Sequence, residues 1–74
     1  MEKEFTEASW VLEDGGIYRI ECHTETNQKM LIQVFKLIEG IDVSASDREV
    51  VIMRNGNFIT LSTRAPFAGY LIAK

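Results

Sequence analysis

One cysteine, one proline and one histidine in 74 residues remove several chemistries before any pattern is read. A lone thiol, Cys22, closes no internal disulfide, and one cysteine with one histidine falls short of the four ligands of a structural zinc site. A chain this short buries little more than half of its unfolded surface, so without staples its stability must come from packing or association. No apolar run approaches the ~18 residues of a membrane helix, and the acidic start MEKEFTEA lacks the basic-then-apolar order of a secretory signal. The expectation is a reducing cytoplasm and no membrane partner. The glycines, at 15, 16, 40, 56 and 69, form neither GxGxxG nor GxxxxGK[ST], so nothing supports a nucleotide or any other cofactor. The net charge of −3 offers no broad positive field to nucleic acid.

What is present is an ordinary globular composition, 46% hydrophobic and 26% charged, which argues for one folded domain over 1–74 and against disorder. The acidity is uneven. Glu2, Glu4, Glu7, Glu13 and Asp14 are opposed only by Lys3 in the first fourteen residues, leaving an acidic entrance on a near-neutral body.

Two segments carry the fold expectation. In 27–39, NQKMLIQVFKLIE, the apolar residues Met30, Leu31, Val34, Phe35, Leu37 and Ile38 share one face when wound at about 100° per residue. This predicts a helix, with Thr24 or Thr26 as N-cap, Gly40 in the left-handed position after the last turn, and Ile32 projecting from the polar face. In 49–63, EVVIMRNGNFITLST, Asn55-Gly56 lies between two apolar runs and predicts a hairpin. With Asn55 and Gly56 as the two turn residues, Arg54 faces Asn57, Met53 faces Phe58 and Ile52 faces Ile59. Val50, Ile52, Ile59 and Leu61 then line one face, assigned to the core, while Val51, Met53, Phe58 and Thr60 line the other.

Upstream, 9–13 and 17–23 flank Asp14-Gly15-Gly16 as a first hairpin. Either two-residue turn places Val11, Tyr18, Ile20 and Cys22 on one face and Trp10, Leu12, Ile17, Arg19, Glu21 and His23 on the other. A helix over 4–12 is the alternative. Residues 41–43 read as strand or loop, 44–47 as loop, and 69–73 as a final strand. The expected fold is α+β: four or five antiparallel strands in the order β-β-α-β-β-β, with one helix packed on one face.

Function is read from what that fold leaves uncovered. Met53, Phe58 and Val51, joined by Trp10, would form an apolar patch on the open sheet face, with Arg54 and Asn57 as a polar rim; a sheet curling into a barrel would cover it instead. The expectation is a small, acidic, non-enzymatic binding or regulatory protein, such as an accessory inhibitor, that forms a homo-oligomer or docks on a larger protein. A second reading is an oligomeric nucleic-acid-binding protein using Arg48, Arg54 and Arg64 with Phe58 for stacking. A third is an enzyme with a composite site around Glu21 and His23, which share a strand face and supply a carboxylate beside an imidazole. Cys22 and His23 point to opposite faces, so they do not act together, and Cys22 reads as a small buried apolar residue.

Overall fold

The computed structural model describes residues 1–25 and 29–74, and the strand periods in these segments build two antiparallel sheets. The strands are β1 (Glu2–Phe5), β2 (Val11–Leu12), β3 (Tyr18–His23), β4 (Ile32–Ile38), β5 (Ile41–Ser44), β6 (Val51–Asn55), β7 (Phe58–Thr63) and β8 (Gly69–Ala73). One sheet has the order β1-β8-β4-β5 and the other β2-β3-β7-β6. The chain therefore changes sheet between β1 and β2, β3 and β4, β5 and β6, and β7 and β8.

Alternation explains how the layers meet. Phe5, Val34, Leu71 and Ala73 from the first sheet and Ile20, Cys22, Ile59 and Leu61 from the second are all buried in one cluster, the inner faces of a β-sandwich. Ile59, Leu61 and Leu71 have no exposed surface, and truncating any of them to alanine costs about 2–5 kcal/mol.

The α+β expectation is wrong: among the described residues no helix packs on a sheet, and the helical segments are two 3-10 turns, Glu7–Ser9 and Asp14–Gly16. The predicted helix 27–39 begins outside the described residues, and Ile32–Ile38 of its remainder form β4. The reason is tertiary. Val34 pairs with Leu71 and Phe35 with Tyr70 on one side, while Phe35 to Ile38 pair with β5 on the other. Alternation is disguised because each face of β4 is mixed. Phe35, on the outer face, stacks on Tyr70 with centroids 5.1 Å apart. Lys36, on the inner face, lies at the margin of the core, where its Nζ binds Glu49 and sits 5.3 Å from the centre of the Phe67 ring. Gly40, expected as a helix cap, is the second central residue of a hairpin in which Glu39 and Gly40 have φ of 51° and 79° and Ile38 faces Ile41; positive φ at both positions is the type I′ pattern.

Turn length corrects the first hairpin. Glu13 N–H donates to Ile17 O (2.7 Å), so three residues, 14–16, make the turn, and Val11 faces Arg19 while Leu12 faces Tyr18. One residue more than expected exchanges the faces of β2. Trp10, assigned to the open face, thereby turns inward.

In the second hairpin Asn55 faces Phe58, Arg54 faces Ile59 and Ile52 faces Leu61. The turn is therefore Gly56-Asn57, not Asn55-Gly56. Positive φ at Gly56 and not at Asn57 fits a type II′ turn, which favours glycine first. This slip moves each partner by two residues, so the face assignments survive. Val50, Ile59 and Leu61 are buried, whereas Ile52, on the same face but on an edge strand, is 37% exposed.

Candidate interaction surface

Each sheet has two edge strands, and an unprotected edge offers a row of free N–H and C=O groups to any passing strand. Two of the four edges, β1 and β2, are blunted, and β5, which exposes Ile41 and Val43, is blunted only in part. β1 reads EKEF, with Glu2 and Glu4 on the outer face; β2 has two residues; β5 is short and carries Asp42, which accepts a hydrogen bond from Tyr70 Oη (2.8 Å). That hydrogen bond raises the Tyr70 hydroxyl above its ordinary pKa, with lesser upward contributions from desolvation and nearby carboxylates.

β6, VIMRN, is different. Val51 is 53% exposed, Met53 60% and, on the adjoining β7, Phe58 45%. Their side chains stand on the outer face of the second sheet, since Val51 faces Ser62, Met53 faces Thr60 and Asn55 faces Phe58. Phe58 also meets His23 edge-on, at 5.0 Å between ring centres. The sequence placed Val51, Met53 and Phe58 together on an open face, and here they share one, with a second sheet in place of a helix covering the opposite side.

The remaining predicted site residues divide. Trp10 is only 6% exposed; its indole packs against Phe5 and Phe67 and its Nε1–H donates to Phe67 O (2.8 Å), so it is a core residue and cannot anchor a partner. Arg54 lies on the inner-face register opposite Ile59 and reaches back along the turn, Nε–H to Gly56 O (3.2 Å). Asn57 is half-buried; its carbonyl accepts Thr24 N–H (2.7 Å) and the Thr24 hydroxyl (3.3 Å). Both residues brace the turn that holds Phe58.

At the other end of β6 the chain makes a feature that sequence reading missed. Residues 45–50 cross from β5 to β6, held by Ala45 N–H to Val34 O (2.9 Å) and by the buried Thr63 hydroxyl donating to Glu49 O (2.7 Å). Beneath this crossing opens a cleft of about 480 Å³, with Val51 and Phe67 in its apolar wall and Lys36, Arg48, Glu49 and Arg64 around it. Glu49 is engaged within the protein: the Lys36 ammonium hydrogen-bonds its carboxylate and Ser46 N–H donates to it (3.2 Å). Those bonds hold its pKa below the usual value of 4.5. With Lys36 and Glu49 compensating each other, the two arginines leave the cleft positive. Arg48 and Arg64 are sixteen residues apart in the chain, so no local pattern could reveal that the fold brings them to one cleft.

Arg48 and Arg64 thus share a site, but Arg54 and Phe58 sit at the opposite end of a hairpin about 17 Å long, at ~3.4 Å per strand residue. Glu21 and His23 are both exposed on the outer face of β3, where Glu21 faces Thr60 and His23 faces Phe58. Cys22 points inward, and burial, the largest effect, pushes its thiol pKa up, with smaller opposing and reinforcing contributions from Lys3 and Glu21. Among the described residues no cluster of three or more His, Cys, Asp or Glu side chains is arranged to hold a metal ion, and no helix is long and apolar enough to cross a membrane.

These features define a small antiparallel β-sandwich with an open, apolar side at β5 and β6. The chain matches no protein-family model, no curated protein and no solved structure.

Proposed function

We propose that this chain is a small non-enzymatic binding protein, regulatory in role and acting in the cytoplasm, that works through protein–protein contacts at the β6 edge. The observation that carries this reading is the contrast among edges: on edge strand β6 Val51 and Met53 are exposed beside Phe58 of β7, on the same side as the exposed Ile41 and Val43 of β5, whereas β1 is acidic and β2 has two residues. Soluble monomers rarely keep apolar patches above ~300–600 Å² without a partner. The lone, buried Cys22 is compatible with a reducing compartment. A nucleic-acid reading is less well supported, because Phe58 lies far along the hairpin from Arg48 and Arg64 and the Phe67 ring in their cleft wall is buried, whereas base stacking needs an exposed ring.

Phe58→Lys tests the proposal. The variant is expected to unfold at the same urea concentration as the parent, since the side chain is on the outer face. Light scattering at rising concentration and affinity capture should show association by the parent chain and none by the variant. Loss of folding in the variant would assign Phe58 to the core and remove the surface; equal association by both chains would remove the proposal.

A further inference from the structure

We infer that the open β5/β6 side is the contact face of a symmetric homodimer, in which a second copy of this chain covers aliphatic side chains that one sandwich leaves in water. This rests on the protein-binding reading above and names its partner. Alternation shows why. Ile38 faces Ile41, Lys36 faces Val43 and Ile52 faces Leu61, so Ile38, Ile41, Val43 and Ile52 stand on the inner faces of their sheets, the faces on which Val34, Ile59 and Leu61 form the core. They are core positions without an opposing layer, 37–64% exposed. Beside them the crossing over 45–50 leaves a depression of about 390 Å³ lined by Ala45, Val50 and Ile52, with room for side chains of another molecule. Side chains make this contact, and no strand is added to either sheet.

Area and charge select a second copy as the occupant. With Val51 and Met53, 53% and 60% exposed, at the rim, these six side chains present apolar surface on the order of 500 Å², the apolar share of a standard ~800 Å² per partner when about 65% of the interface is apolar, as in homodimers. The excess acid of the chain lies in the segment that builds β1 and β2, so two copies repel each other there. On the other side, the inner-face positions of β5 and β6 hold Ile41, Val43, Ile52 and Arg54. Arg54 alone is charged, and its Nε–H is engaged by Gly56 O. A two-fold contact uses one patch twice and must therefore be compatible with itself, a condition that an aliphatic face meets and an acidic one does not.

Sedimentation equilibrium of the full chain from micromolar to millimolar concentration reads this out. The parent is expected to pass from the mass of one chain to twice that mass. Ile41→Lys should raise the dissociation constant about tenfold or more, since the contact would desolvate each ammonium group without a partner. Val11→Lys is the control: Val11 is as exposed as Ile41, 63% against 64%, but stands on β2, so the dimer should persist. In the dilute, monomeric range Ile41→Lys should keep the parent's urea midpoint; should it fail to fold, hydrogen exchange of the parent decides, with β5 and β6 amides expected to gain protection as concentration rises and β1 and β2 amides none. A parent that keeps the mass of one chain throughout overturns the inference, as does a dimer that survives Ile41→Lys or gains its protection on β1 and β2. If the parent stays monomeric while affinity capture retains a partner that Phe58→Lys loses, the inference falls and the wider proposal stands; if Phe58→Lys loses nothing either, both fall.

Discussion

Strands β1 and β2 on one side of the sandwich and β5 and β6 on the other are all edge strands, yet their surroundings differ. On the first side, Phe5, Trp10 and Phe67 close the gap between the sheets as three mutually tilted rings with centroids 5.2–5.7 Å apart, and Glu2 and Glu4 face outward. Edge-to-face pairs of this kind add about 0.5–1.5 kcal/mol beyond the area they bury. On the second side, Ile38, Ile41, Val43 and Ile52 occupy inner-face positions of their sheets but remain 37–64% exposed. The three rings close most of the first edge, where Leu12 is the exposed inner-face aliphatic residue of β2, and the second edge is left more open. For a chain with so little interior, leaving aliphatic side chains in water is a cost that association at the open edge would relieve.

Substitutions on the two sides should separate them. Trp10→Ala removes the closing ring and its hydrogen bond to Phe67, so a loss of about 3–5 kcal/mol is expected in urea unfolding. A loss below ~1 kcal/mol would mean that the β1/β2 side is not sealed. A matched aliphatic pair sharpens the contrast: Ile20→Ala, with the side chain buried, should cost about 2–5 kcal/mol, and Ile52→Ala only ~1 kcal/mol, because the edge position is partly hydrated before the change. Equal losses would show that Ile52 is covered in solution, and self-association would then be the first thing to measure.

The smallest expected effect is the pH response of the crossing between β5 and β6. Glu49 has a folded-state pKa held below its unfolded value by Lys36 and Ser46. Its contribution is therefore complete above the unfolded value of 4.5 and is lost as pH falls through the folded one. Glu49→Gln should flatten the acid side of a thermal-midpoint profile and leave neutral-pH stability nearly unchanged, since the pair is solvent-screened. An unaltered acid slope would detach Glu49 from Lys36.

Much of this architecture could be read locally. In β7, Ile59 and Leu61 alternate with Phe58, Thr60 and Ser62, and that period of two assigned the buried and open faces correctly even though the turn was displaced by one residue. The displacement was harmless because Gly56-Asn57 and Asn55-Gly56 are both two-residue turns. The same reasoning failed at Asp14-Gly15-Gly16, where three residues rather than two sent Trp10 into the core. It failed again at β4, whose mixed faces imitate a helical stripe.

What the sequence determined alone was local: the strand character of β3, β6, β7 and β8, the parity of faces within the first three, and the exposure of Val51, Met53 and Phe58, because side-chain alternation needs no distant partner. Tertiary structure decided the conformation of Ile32–Ile38, the side on which Trp10 falls, and the meeting of Arg48 with Arg64. Each depends on contacts between residues remote in the chain, such as Val34 with Leu71 and Trp10 with Phe67, whose free energy outweighs the local preferences that a window of sequence records.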